Sequence, residues 1–276
     1  MGSGTDVDGL VDLGCDLADV GRQVDAELCF RRAAELGSAV ASFNLGNTLA
    51  ALSREPEAVA AYEQALAGGE TDAWLNLGSV LQELGDLAGA MRAFREAFHA
   101  GDGEGALALA FCLREQGERE QAVTAARDAA AAGSLVAVGV LACWEWDASL
   151  DPALESALRA GAERYPSARA DLAELLCSTG RVSEAREVLE QGAKLGEQES
   201  WLPLGNLYAD EFGDFAAARD AYLGGIAAGD SNCHHNLGVL LARQGLTDDA
   251  EEQFRLGAEA GDQLASRALR DLRDGP

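Results

Sequence analysis

The side chains most able to do chemistry are few in this sequence. It holds three histidines, His99, His234 and His235, and its six cysteines form no Cys-x-x-Cys pair. His234 and His235 are adjacent, so on a helix they point about 100° apart and cannot share a metal as an i,i+4 pair does. Cys233 beside them is more typical of a small apolar side chain in a helix than of a metal ligand. We therefore expect no metal site.

A second candidate for chemistry is the glycine-rich segment GDGEG at residues 101–105. A phosphate-binding loop follows a strand and carries a lysine, whereas this segment follows a helical pattern and has no lysine. Carboxylates are so numerous, at 47 acidic residues, that no pair stands out as an acid and base. The sequence therefore predicts that the protein is not an enzyme and binds no cofactor.

The charge of the chain is one-sided, with 47 acidic and 21 basic residues and a net charge of -26. Such a surface repels nucleic acids and anionic lipid headgroups. It favours a neutral or basic partner, or it serves solubility alone. No run of about 18 apolar residues is present, so we expect no membrane-spanning helix. The acidic N-terminus does not resemble a secretory signal, and the scattered cysteines favour reduced thiols, so we expect a cytoplasmic protein.

The elements that must position these side chains follow from a repeat. An alanine recurs at steps of 31 to 33 residues along the chain. One of these alanines is Ala90, which has Gly78 twelve residues before it and Phe94 four residues after it. Other apolar residues and glycines keep the same register in most of the chain. The chain therefore consists of eight units of about 32 residues. The alanine series is Ala26, Ala58, Ala90, Ala122, Ala153, Ala185, Ala218 and Ala250.

Each unit has the pattern of two amphipathic helices. In the third unit, AWLNLGSVLQEL has apolar residues at the 3/4 spacing of a helix, and the Gly-Asp that follows ends it. A single helix pair cannot bury its apolar stripes, so neighbouring pairs must stack. We interpret Gly78 as the close contact between the two helices of this unit. Ala90 is then its small partner, and Phe94 fills the space beyond.

Trp74, Gly78, Ala90, Phe94 and Ala97 fall at the signature positions of the tetratricopeptide repeat, which this chain resembles. The period is shorter than the usual ~34 residues, and the junction RAAELGSAVASFNLG resembles that of Sel-like repeats. The resemblance implies an all-α, right-handed α-solenoid of about eight helix-turn-helix repeats. These would form one repeat domain over residues 1–276, with repeats at about 5–262 and a C-terminal capping helix at about 263–273.

For function, the resemblance implies protein–protein interaction on the concave face, which the first helix of each unit lines. It places on that face the residues two before and one after the contact glycine. These are Asn44, Asn47, Asn76, Ser79, Asp171, Glu174, Asn206 and Asn236. Asparagine amides both donate and accept hydrogen bonds, which suits the backbone of an extended peptide. The alternative is that these amides belong to the repeat consensus and brace neighbouring helices.

Two tryptophans stand in the fifth unit, where the aromatic position holds Ala157 instead. We expect Trp144 in the core and keep Trp146 as a candidate contact in the groove. The sequence thus predicts a cytoplasmic scaffold or adaptor that binds a neutral or basic protein or peptide in its concave groove, without nucleic acid or membrane. The alternative is a regulatory or sensor module whose groove is filled in cis or by a small ligand.

Overall fold

The computed structural model describes residues 7–274, and within this range the ordered elements are helices. The chain folds into two compact units, divided between Ala137 and Val138. A single repeat domain over residues 1–276 remains a prediction. No helix in the described range is both long and apolar enough to cross a bilayer.

The first unit holds four helix pairs, in which consecutive helices pack against each other. Its helices are α1 (Val7–Asp19), α2 (Gln23–Glu35), α3 (Ala39–Ala51), α4 (Glu55–Ala67), α5 (Ala73–Glu83), α6 (Leu87–His99), α7 (Gly103–Glu115) and α8 (Arg119–Ala131).

The second unit follows the same plan, and α9 begins just before the division between the units. Its helices are α9 (Leu135–Ser149), α10 (Glu155–Gly161), α11 (Pro166–Ser178), α12 (Val182–Leu195), α13 (Gln198–Asp210), α14 (Phe215–Ala227), α15 (Asn232–Arg243), α16 (Thr247–Glu259) and α17 (Gln263–Asp274). A 3₁₀ turn at Pro152–Leu154 precedes α10. The predicted all-α repeat of eight helix pairs, closed by a last helix, is confirmed for the described residues.

The turns between helices depend on glycine and on short polar caps. Gly85 between α5 and α6 has a φ of 80°, and Gly101 between α6 and α7 has a φ of 102°. A side chain at either place would be strained, because only glycine adopts positive φ without cost. Asp86 then begins α6 by accepting a hydrogen bond from the backbone N–H of Gly89 at 2.9 Å. Glycine holds the positive φ in most of the turns, whereas Ser53 and Leu150 hold it in the turns of the second and fifth pairs.

The contact between the two helices of a pair differs in detail from our expectation. The atoms nearest to Gly78 belong to the Phe94 ring, and a Cβ at Gly78 would lie 2.5 Å from Phe94 Cδ1. Ala90 is fully buried but is not the nearest partner of this glycine. The expected arrangement, with Ala90 on the glycine and Phe94 beyond, is therefore wrong. The same ring-on-glycine contact occurs at Gly14–Phe30, Gly46–Tyr62, Gly205–Tyr222 and Gly238–Phe254.

The fifth pair solves the same packing problem in another way. A Cβ at Gly161 would lie 2.5 Å from the Cα of Gly139, so two glycines bring α9 and α10 together without a ring between them.

At the other end of this unit, α17 packs Ala268, Leu269 and Leu272 against the apolar cluster formed by α13 to α16. This is the capping helix that the sequence predicts.

Candidate peptide-binding face

The first helices of neighbouring pairs lie side by side. In the first unit α1 contacts α3, α3 contacts α5 and α5 contacts α7, and in the second unit α11 contacts α13 and α13 contacts α15. Each unit therefore presents one surface built from first helices, which we call its inner face. Among the predicted residues, Asn47 and Asn76 meet across neighbouring pairs on this surface, and so do Asn206 and Asn236.

Two asparagines and a tyrosine form a hydrogen-bonded group on the inner face of the first unit. The side-chain oxygen of Asn47 accepts from the Tyr62 hydroxyl at 2.8 Å and from the Asn76 amide at 2.8 Å. Tyr62 belongs to the same helix pair as Asn47, whereas Asn76 belongs to the next pair. Burial raises the pKa of Tyr62 to about 12, so its hydroxyl stays protonated and donates. We call this group the first brace.

The second unit repeats the group with the same roles. The side-chain oxygen of Asn206 accepts from the Tyr222 hydroxyl at 2.8 Å and from the Asn236 amide at 2.7 Å. Burial raises the pKa of Tyr222 to about 12 as well. We call this group the second brace. Both braces join neighbouring helix pairs, which is the alternative to peptide binding that the sequence leaves open.

The braces leave part of each amide unused. In the described part of the chain, Asn47 Nδ2 and Asn76 Oδ1 make no hydrogen bond. Both side chains are half-buried, so solvent reaches them. Asn44 and Ser79 lie outside the brace altogether. The Asn44 amide is 4.0 Å from Cys15 Sγ, and the exposed Ser79 hydroxyl donates to the Leu75 carbonyl at 3.2 Å. The inner face thus holds polar side chains of two kinds, those that brace the stack and those that do not.

Trp146 does not lie where the sequence predicts it. Its side chain is only 2% exposed, and its indole N–H donates to Glu174 Oε2 at 3.0 Å. The large apolar ring is buried and its one polar atom has an internal partner, so Trp146 belongs to the core together with Trp144. The groove-facing position expected for Trp146 is therefore wrong. Burial also raises the pKa of Asp171, the other acidic candidate in this region.

Charge on the inner face of the first unit has a single sign. Four positions of each repeat mark this face, at six before, two before, one after and five after the contact glycine, or Ala110 in the repeat of α7. All charged residues at these positions are exposed carboxylates. They are Asp8, Asp12, Asp19, Asp72, Glu83, Glu104 and Glu115. Apart from Arg114, the arginines of this unit lie on second helices or in turns.

The braces could have been found in the sequence. The two repeats with tyrosine at the aromatic position, at Tyr62 and Tyr222, have asparagine one residue after the contact glycine, and the following repeat has asparagine two before its own. The repeats with phenylalanine at that position have Cys15, Ser79 or Val239 after the glycine instead. A tyrosine hydroxyl buried in this place requires an acceptor, which phenylalanine does not.

Each of the three histidines has a protein side chain as its neighbour. His234 Nδ1 lies 2.8 Å from Gln253 Oε1, His235 packs its ring against Phe254, and His99 is exposed near Glu96. Within residues 7–274 no group of three or more histidine, cysteine, aspartate or glutamate side chains is arranged to hold a metal ion.

Helix pairs of regular length that stack on their neighbours define the class of α-helical repeat proteins. One tetratricopeptide-repeat model matches residues 11–73 and 56–104, and a second matches residues 166–191 and 232–255. Together these matches span just over half of the chain, which belongs to the tetratricopeptide-repeat family. A comparison with curated proteins gives no match.

Solved structures show the same fold. The Escherichia coli protective antigen c5321, which displays a Sel-like repeat fold, aligns with a TM-score of 0.67 at 20% identity, over 96% of this chain and 64% of that one. A chain of the Cut9–Hcn1 hetero-tetramer of the APC/C aligns with a TM-score of 0.64 at 16% identity, over 98% of this chain and 57% of that one. A tetratricopeptide repeat protein from Parabacteroides merdae aligns with a TM-score of 0.52 at 16% identity, over 99% and 100%. At these identities the likeness concerns the fold alone.

Proposed function

We propose that this protein is a cytoplasmic scaffold or adaptor whose inner face in the first unit binds an extended segment of a partner protein. Repeats of this family generally mediate protein–protein interaction. The observation that carries the proposal is the set of unused amide atoms at Asn47 and Asn76, beside Asn44 and Ser79. The N–H groups of Asn47 can donate to a peptide carbonyl, and the Asn76 oxygen can accept from a peptide N–H.

Charge supports a neutral or basic partner. The charged side chains at the inner-face positions of the first unit are carboxylates, and the whole chain carries a net charge of -26. A basic segment would be attracted before contact, so its association rate should fall as salt rises. Nucleic acid would be repelled. All six cysteines are free thiols, which fits a reducing compartment.

The test begins with capture of partners from a native extract and their identification by mass spectrometry. Binding of the captured partner is then measured with the double variant Asn44→Ala/Ser79→Ala. Both side chains lie outside the brace, so their removal should leave the melting temperature unchanged. We expect the affinity to fall by about tenfold, since two hydrogen bonds contribute roughly 0.5–1.5 kcal/mol each.

A matched control removes one amide and one hydroxyl from α8, which is the second helix of its pair and lies outside the inner face. Gln121 and Thr124 are an exposed amide and an exposed hydroxyl on α8, and Thr124 donates to a backbone carbonyl as Ser79 does. Gln121→Ala/Thr124→Ala should therefore leave the affinity as it is. Equal affinities for the two folded double variants would show that Asn44 and Ser79 take no part in binding.

A further inference from the structure

The inner face of the second unit holds a pocket of about 250 Å³ between α11 and α13. Its floor is apolar and includes Ala173, Leu189, Pro203 and Leu207. Pro203 stands two residues before the contact glycine, where three other repeats have Asn44, Asn76 and Asn236. The pocket therefore exposes apolar surface at a position that holds an amide in those three repeats.

Pro203 has a second effect, because it lies inside α13. Proline has no N–H, so residue 203 cannot donate the helical hydrogen bond to the Glu199 carbonyl. The helical hydrogen bond that an asparagine at this position can make is therefore missing from α13.

Carboxylates form the rim of the pocket. Glu174, Asp210 and Glu211 line it, while Glu174 uses only one oxygen for Trp146 and Asp210 makes an exposed pair with Arg243 at 3.4 Å. The charges of Glu211 and Glu174 add to burial in raising the pKa of the Cys177 thiol, which also lines the pocket. The rim is therefore negative even with Arg243 beside it.

We propose that this pocket binds a lysine or arginine side chain of a partner segment. The inference goes beyond the proposed function, because it assigns a separate binding site to the inner face of the second unit. A long basic side chain has an apolar stem and a cationic head. The floor at Leu189, Pro203 and Leu207 accommodates the stem, and the carboxylates of Glu174, Asp210 and Glu211 receive the head. An apolar side chain would gain nothing from these carboxylates, and an acidic one would be repelled.

The test uses two fluorescein-labelled ten-residue peptides, one of alternating alanine and arginine and one with citrulline in place of arginine. Citrulline keeps the shape of arginine without its charge. Fluorescence anisotropy at about 0.15 M salt, where the Debye length is ~8 Å, limits long-range attraction. The full chain should bind the arginine peptide at least about tenfold more tightly than the citrulline peptide.

Variants separate the pocket from the general charge of the chain. In Glu174→Gln/Glu211→Gln the glutamine oxygen can still accept from Trp146, and binding of the arginine peptide should weaken by about tenfold. Glu163→Gln/Glu187→Gln changes the net charge equally at exposed positions outside this pocket, and it should weaken binding less than about twofold. Pro203→Asn restores the helical N–H and the usual residue of the repeat, and it should weaken binding without lowering the melting temperature.

Three results would overturn the subsite. The first is an equal affinity for the arginine and citrulline peptides. The second is an equal loss of affinity in the two glutamine double variants, and the third is an unchanged affinity in Pro203→Asn. None of them bears on the capture of a partner or on the Asn44→Ala/Ser79→Ala variant, so the scaffold function is judged separately.

Discussion

The Asn76 side-chain amide donates to the Asn47 side-chain oxygen across 2.8 Å, and this hydrogen bond joins two neighbouring helix pairs. Because the same oxygen also accepts from the buried Tyr62, both of its lone pairs are used inside the protein. The inner face therefore has a structural role of its own, besides any role in binding. Part of it holds the stack together.

The first brace should contribute measurably to stability. Asn47→Ala leaves the buried Tyr62 hydroxyl without its acceptor and should lower the free energy of unfolding by about 1–3 kcal/mol in urea denaturation. Adding Tyr62→Phe removes the stranded hydroxyl, so the double variant should be more stable than Asn47→Ala alone. A single variant as stable as the wild type would show that the brace adds nothing.

The contact glycine should tolerate no side chain. Gly78→Leu drives new atoms into the Phe94 ring and should cost about 2 kcal/mol or more of stability. Ser79→Leu places the same side chain one residue along α5, at an exposed position, and serves as the control. Thermal unfolding compares the two, and similar melting temperatures would contradict the ring-on-glycine contact.

A buried ion pair links the sixth and seventh helix pairs. Arg169 is 8% exposed at its side chain, donates to Glu197 at 2.7 Å, and also donates to the Ala162 carbonyl at 2.7 Å. Arg169→Ala strands the Glu197 carboxylate and should cost about 3–5 kcal/mol in urea denaturation.

The exposed pair of Arg243 with Asp210 provides the comparison for Arg169. Arg243→Ala should change stability by less than about 1 kcal/mol, because solvent screens the pair. Adding Glu197→Gln to Arg169→Ala should recover part of the loss, since it removes the stranded charge. An Arg169→Ala protein as stable as Arg243→Ala would be inconsistent with a buried pair.

Stability should depend on pH through Glu27. Hydrogen bonds from Arg31 and Arg54 hold the pKa of this carboxyl below its ordinary 4.5 in the folded protein. Its contribution is therefore fully present above 4.5 and is lost as the pH falls through the lower folded pKa. Glu27→Gln should be less stable than the wild type by about 1.5 kcal/mol at neutral pH, and the difference should close in acid. A difference that stays constant from neutral pH to about pH 3 would exclude this linkage.

Local spacing predicted the helices, because the signals for them lie within one repeat. The glycines at Gly85 and Gly101 mark turns with positive φ, and α17 follows from its apolar stripe. The side-chain partners were harder to predict. The braces have a sequence signal in their paired tyrosine and asparagine positions, whereas the contact of Trp146 with Glu174, at a separation of 28 residues, has none. Such contacts depend on how pairs stack, and the 32-residue period alone does not specify which side chain lies across an interface.

The division of the inner face into bracing and non-bracing side chains bears on how this protein can evolve. A change at Asn47 or Asn206 alters the surface and also strands a buried tyrosine, so such a change must be compensated at Tyr62 or Tyr222 before it can persist. Positions 44 and 79 carry no such constraint. Under the proposed function, two copies of this chain could diverge after a gene duplication in what they bind, by changes at these two positions, while the fold they inherit stays equally stable.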